Sequence, residues 1–173
     1  PVKVGVAVCD LFTGLFTANA ALAALAYRNR TGKGQHIDCA LLDSQVAMLA
    51  NQSANWLNAE FCPTRMGNHH PSVVPYTVYK AADGFVIVAC GNDKQFVRLT
   101  AALGVPKMAD DEAFMTNEAR IKNRDRLDTE LGKAIAEFDR ETVIACLEKA
   151  GVSCGPINDI AEVFDDPQVQ ARG

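Results

Sequence analysis

The sequence predicts two architectures in succession: an α/β opening and, after an irregular stretch, a compact α+β unit over residues 76–158. Three observations carry this. The opening places a long apolar run between two short strand-like runs. Residues 62–75 then hold three prolines, one glycine and two adjacent histidines, which is incompatible with regular structure. Beyond residue 75 two short alternating runs flank Asp83-Gly84, and helical periodicity follows.

Residues 4–8 (VGVAV) read as a short buried strand, followed by an almost wholly apolar helix over 11–28. Asp10 then falls at the helix N-cap, where a carboxylate meets unpaired N–H groups. Thr31-Gly32-Lys33-Gly34 is a turn; it lacks the GxxxxGK[ST] pattern and precedes a strand, so it is no phosphate loop. Residues 35–41 alternate as a strand, with His36 facing opposite Ile37, and 43–58 return to helical period.

The two runs 76–80 and 85–90 form a hairpin across Asp83-Gly84. Asn92 caps a helix over 95–103 that Gly104 closes; a helical region over 116–138 breaks near Asn123. Asp139 caps a helix over 141–150 stopped by Gly151, and 152–154 form a strand that Gly155-Pro156 ends. Domain boundaries follow: 1–60 an opening domain, 61–75 a linker and loop, 76–158 the small α+β domain, and 159–173 a connection returning elsewhere. The lack of an initiator Met and the mid-element ending lead us to expect a piece of a longer protein.

Composition is that of an ordinary globular chain, with 49% apolar and 22% charged residues. The net charge of −4, with Lys and Arg scattered among acids, gives no basic stripe for nucleic acid. The apolar run over 11–27 is Ala-rich and interrupted by Thr13, Thr17 and Asn19, so we expect a buried helix and not a membrane span. The six cysteines (9, 39, 62, 90, 146 and 154) show no CxxC pair, which argues against structural zinc and disulfides and for a reducing compartment. Adjacent His69 and His70 lack the spacing of a metal pair, and no metal is expected.

Several segments together resemble the class III (CaiB/BaiF-type) CoA transferases. They are Val8-Cys9-Asp10-Leu11-Phe12-Thr13-Gly14; Arg30-Thr31-Gly32-Lys33-Gly34-Gln35 with Asp38; Met66-Gly67-Asn68-His69-His70-Pro71 followed by Tyr76 and Ala82-Asp83-Gly84; and Gly151-Val152-Ser153-Cys154-Gly155-Pro156-Ile157 with Asp166-Pro167-Gln168-Val169. The resemblance covers essentially the whole chain. It implies part of a Rossmann-like large domain followed by a small α+β domain, in an enzyme whose two chains interlock as a homodimer. The family's CoA contacts come mostly from sequence this chain does not contain, so no CoA-contacting residue is assigned.

The resemblance makes Asp10 the nucleophile of a reaction that passes CoA from an acyl-CoA to a carboxylic acid through an aspartyl-CoA thioester. Outside that context an aspartate at a helix start is ordinarily a cap. It also implies that Gly67, Asn68, His69 and His70 form an active-site loop able to shield the intermediate, although formyl-transferring members carry a longer glycine run there. Val73-Val74-Pro75-Tyr76 and Gly91-Asn92-Asp93-Lys94-Gln95-Phe96 are similar to members acting on succinyl-type dicarboxylates. Arg65, Tyr76 and Gln95 are further candidates for contacting substrate carboxylates. CoA and acyl-CoA enter as substrates, with no permanently bound cofactor. The expected location is the cytoplasm, or a mitochondrial or peroxisomal matrix in a eukaryote. Two alternatives stand beside this reading: an acyl-CoA racemase or dehydratase of the same fold, and an inactive structural fragment that self-associates through exposed apolar surface.

Overall fold

The structure is a computed structural model that describes residues 4–173. The chain divides into two compact units, one ending at Arg65 and one spanning Met66–Gly173.

The first unit is helical: α1 (Val8–Thr31), α2 (Leu41–Ala47) and α3 (Asn51–Ala59). Neither expected strand forms. Residues 5–6 are a bend, Val8 already belongs to α1, and 35–40 run without pairing. Strand structure requires a neighbour to complete the hydrogen-bond ladder, and no other strand lies among the unit's described residues. The helix expected over 43–58 is two helices, separated at Ala50, whose φ of 47° interrupts the α conformation.

The expectation of a buried first helix is also corrected. No residue of α1 is buried, and Leu11, Phe12, Leu15, Phe16, Leu22 and Leu25 all face outward. Within its unit α1 packs on α2. By length and composition alone α1 is long and apolar enough to cross a membrane. Gly32, at φ 72°, ends it with an N–H bonded to the Arg28 carbonyl.

The second unit contains the core. A three-stranded antiparallel sheet in the order β1 (Tyr76–Lys80), β2 (Phe85–Ala89), β3 (Ser153–Pro156) runs in register from Tyr76 opposite Ala89 and from Val86 opposite Pro156. Gly155-Pro156 belongs to β3 and forms its last two residues, so the strand runs two residues further than expected and ends at Pro156. Pro156 is the last residue of an edge strand, where its missing N–H costs no ladder bond. The hairpin forms as expected, but Gly84 is not in the left-handed region. Arg140 approaches closely there: a Cβ would lie 2.8 Å from the Arg140 Cδ, so a side chain at position 84 requires the arginine to shift.

Alternation on the strands turns Thr77, Tyr79, Val86 and Val88 inward. Against them pack α4 (Asp93–Ala102) through Phe96 and Leu99, α6 (Arg124–Ala136) through Leu127, Leu131 and Ile135, and α7 (Arg140–Lys149) through Val143 and Leu147. These i, i+3 and i, i+4 spacings are the periodicity that the sequence displays. A 3₁₀ turn (Pro106–Asp110) and α5 (Asn117–Lys122) precede α6, and the break falls at Asn123. Asn92, Thr116 and Asp139 each accept an N–H from the helix they begin. The last segment, expected to be a connection, forms two short helices, α8 (Ile160–Asp165) and α9 (Pro167–Arg172). The first is started by an Asp159–Glu162 capping box and the second by Asp166 with Pro167.

Tyr79 is buried, and its hydroxyl donates to Asp128 Oδ1 at 2.5 Å. Burial first, then the Asp128 charge and hydrogen bond, push its pKa far above the ordinary tyrosine value. The folded state therefore keeps this proton at pH values where the unfolded chain releases it. Above about pH 10 the folded state binds more protons than the unfolded, so stability falls as pH rises. A Tyr79→Phe variant should lack this contribution: its denaturation midpoint should fall less steeply than wild type between pH 9.5 and about 11. Parallel pH curves would show that Tyr79 contributes nothing to the decline.

Candidate functional site

Asp10 lies in the first turn of α1 and not at its cap. The cap position belongs to Ala7, whose carbonyl accepts from the Leu11 N–H at 3.1 Å, so the helix starts earlier than expected. Asp10 is exposed, and no hydrogen bond or ion pair engages its carboxylate among the described residues. As the third helical residue it remains within the positive end of the helix dipole. Cys9 beside it donates to the Leu41 carbonyl at 3.1 Å, which ties the first turn of α1 to the start of α2. An accessible carboxylate at a positively polarised helix end is chemically suited to nucleophilic attack.

The expected loop belongs to the second unit and is rigidly built. Gly67 takes φ 60°, and the His69 N–H closes the turn on the Met66 carbonyl at 3.1 Å. The His70 N–H donates to the Tyr76 carbonyl at 2.9 Å. Its ring stacks on Tyr76 with centroids 5.2 Å apart and planes 13° from parallel. His70 Nδ1 accepts the N–H groups of Ser72 (3.2 Å) and Val73 (3.1 Å).

Three side chains from the following helices hold the rest of the loop. Asn117 accepts from the Val74 N–H at 3.0 Å and donates to the Ser72 carbonyl at 2.9 Å. Arg124 donates to the Pro71 carbonyl at 3.3 Å, and Arg120, fully buried, donates to the Val74 carbonyl at 2.6 Å. The Val74–Pro75 bond is cis. These bonds to packed helices hold residues 71–74 in place.

His69 and His70, adjacent in sequence, are wired differently. His69 Nδ1 is buried without a hydrogen bond and lies 3.5 Å from Asp128 Oδ2, the carboxylate that Tyr79 also holds. Asn68 is exposed. Among the secondary candidates, Gln95 is engaged by the protein itself, accepting from the Gly91 N–H and donating to the Gly151 carbonyl. Tyr76 is taken up by the His70 stack, while Arg65 and His36 are exposed. The residues that build the loop but were not anticipated are Asn117, Arg120, Arg124 and Asp128. In sequence they look like polar positions of amphipathic helices.

All six cysteines are free thiols. Cys90 is buried, and burial pushes its pKa up to about 11, which leaves it a neutral core residue. Among the described residues no group of three or more His, Cys, Asp or Glu could hold a metal ion.

The sequence profile of CoA-transferase family III matches residues 1–173. The chain is 47% identical over 173 residues to a succinate–glutarate CoA-transferase of Agrobacterium fabrum, covering 100% of this chain and 43% of that protein. It is 40% identical over 173 residues to a human succinyl-CoA:glutarate CoA-transferase, of which it spans 40%. Among solved structures, a CAIB/BAIF family protein from Brucella suis superposes with a TM-score of 0.82 at 49% identity, covering 100% of this chain and 46% of that one. The chain thus spans about two fifths of the length of the curated relatives it matches.

Proposed function

This chain belongs to CoA-transferase family III, and on that premise we propose that the whole protein moves coenzyme A from an acyl-CoA thioester to a short dicarboxylic acid. The match of the family profile across the entire chain, Asp10 included, is the observation that carries this reading. The names of the relatives, which act between succinate and glutarate, support the choice of acid.

Asp10 is the nucleophile of this scheme. Its carboxylate attacks the thioester carbonyl, the CoA thiolate leaves with the bonding electron pair, and a mixed anhydride joins Asp10 to the acyl group. The thiolate then attacks the Asp10 carbonyl of that anhydride, which releases the donor acid as a carboxylate and leaves an aspartyl-CoA thioester. The incoming acid repeats the two steps in reverse order. No water is consumed, so the thioester free energy is retained. The exposed place of Asp10 near a helix N-terminus supports the assignment, because the positive end of the helix dipole stabilises negative charge developing on the tetrahedral oxygens.

The loop over Gly67, Asn68, His69 and His70 serves in this reading as one wall of the substrate site. Its rigid anchoring supports a role in positioning over one in gating. We place α1 inside a globular protein and not in a membrane: it carries Asp10, Thr13, Thr17 and Asn19, and it is rich in Ala. An interlocked homodimer, a Rossmann-like large domain and a reducing compartment complete the proposal.

A panel of acceptor acids offered with succinyl-CoA tests it. Glutarate should exceed acetate in kcat/KM by at least about tenfold, the worth of one charge-assisted contact to the second carboxylate. Preference for a monocarboxylate would remove the dicarboxylate assignment. Inversion or dehydration of the acyl-CoA, with no CoA reaching a second acid, would place the protein with the racemases or dehydratases.

A further inference from the structure

The imidazole of His70 has its proton placed by the fold. Nδ1 accepts two backbone N–H groups, those of Ser72 at 3.2 Å and Val73 at 3.1 Å. A ring nitrogen that accepts hydrogen bonds carries no proton, so the neutral ring bears its hydrogen on Nε2. The ring cannot easily turn to exchange the two nitrogens, because it stacks 13° from parallel on Tyr76 while its own N–H is bonded to the Tyr76 carbonyl. Turning would also leave two loop N–H groups without an acceptor.

Nε2 itself finds no acceptor among the described residues, and it is not one of the buried unpaired atoms, so this edge of the half-buried ring reaches the surface. The result is a donor of fixed direction, set by the tautomer of the neutral ring. It stands on a loop clamped by Asn117, Arg120 and Arg124 from two helices. His69 differs on each count: its Nδ1 points inward at Asp128, and nothing accepted by that ring fixes a proton on the outer edge. Donors held in place before the ligand arrives are the kind that stabilise anionic oxygen, since no reorganisation is needed on binding.

We propose that His70 donates its Nε2–H to an oxygen of the acid substrate's carboxylate, and that the turn closed on Nδ1 serves to hold the ring in that tautomer. The inference rests on the transferase reading above and assigns one of its substrate contacts.

Two substitutions in the full-length enzyme separate the two ends of the ring. In His70→Asn the amide oxygen takes the place of Nδ1 and keeps the turn, but nothing reaches the place of Nε2. In His70→Gln the side-chain amide N–H reaches the place of Nε2, while the turn loses its acceptor. With saturating succinyl-CoA, H70N should keep a wild-type melting temperature and lose about tenfold to a hundredfold in kcat/KM for the acid, the loss of one hydrogen bond to a charged group. H70Q should melt lower yet retain more kcat/KM for the acid than H70N at a temperature where both are folded. A residue that only closes the turn predicts the reverse order, and that order would overturn the inference.

If H70N fails to fold, nitrogen-15 NMR of the wild-type imidazole decides. A proton on Nε2, with a shift of that resonance on adding glutarate, upholds the contact, and a proton on Nδ1 or an unmoved resonance overturns it. A wild-type enzyme that transfers CoA while H70N is unimpaired removes the contact and leaves the transferase reading intact. A wild-type enzyme that transfers CoA to no acid removes the reading, and the inference with it.

Discussion

Replacing Arg120 with methionine should destabilise the second unit by about 3–5 kcal/mol, a large part of the stability of an ordinary domain. The guanidinium is fully buried and spends its donors on three separate elements: Nε to the Val74 carbonyl at 2.6 Å, Nη1 to the Phe114 carbonyl at 2.8 Å, and Nη2 to Asp93 Oδ1 at 2.8 Å. It also lies over the Phe96 ring, 4.5 Å from the centroid. Methionine fills much of the volume but leaves two carbonyls without donors, each at a cost of about 1–3 kcal/mol. The cation–π contact is lost as well, worth up to about 2 kcal/mol when desolvated. Asp93 contributes less, because its side chain is 54% exposed and water can replace the arginine. Lysine should not rescue, since one ammonium on a flexible stem cannot reproduce a planar three-way fork. Urea denaturation followed by circular dichroism would measure the effect. A midpoint for Arg120→Met equivalent to within 1 kcal/mol of wild type would mean that the network is dispensable.

Arg120 also shows where reading the sequence stops. The α+β unit was legible because its signals are local. Apolar residues at i, i+4 and i+8 on α6 mark its buried stripe, and Asn92, Thr116 and Asp139 announce helix starts. Periodicity identifies which positions face inward. It does not reveal that a charged residue such as Arg120 occupies one of them, because its three acceptors are scattered along the chain and converge only in the fold. Asn117, Arg124 and Asp128 escaped notice for the same reason.

The opening unit was less legible for another reason. Residues 4–8 and 35–41 have strand composition, but strand structure is a property of pairs, and these runs have no partner among the unit's described residues. Helix α1 is apolar all round, which suggests burial on every side. It packs within its unit on α2, and its large apolar residues stay exposed. Asp10 itself was recognised, but its register was not. A cap preference favours aspartate, whereas the hydrogen bond from Leu11 to Ala7 starts the helix three residues sooner.

That register sharpens what Asp10→Asn should do. Asparagine at a cap would keep a side-chain acceptor for the helix N–H groups, but the cap is Ala7 and Asp10 lies inside the first turn, so there is no Asp10 cap to preserve. The substitution removes only one negative charge from the first turn and should change stability by less than about 1 kcal/mol. Turnover should behave quite differently. A neutral amide cannot attack a thioester to form the mixed anhydride, and removal of a covalent nucleophile lowers kcat by several orders of magnitude even where binding survives. The full-length D10N enzyme should therefore melt like wild type, bind acyl-CoA, and transfer no measurable CoA. Covalent capture locates the intermediate directly. Wild-type enzyme incubated with succinyl-CoA and reduced with borohydride should carry its modification on the peptide containing Asp10, and D10N should carry none. Wild-type turnover in D10N, or a label on another residue, would show that Asp10 is only a surface charge at the end of a helix.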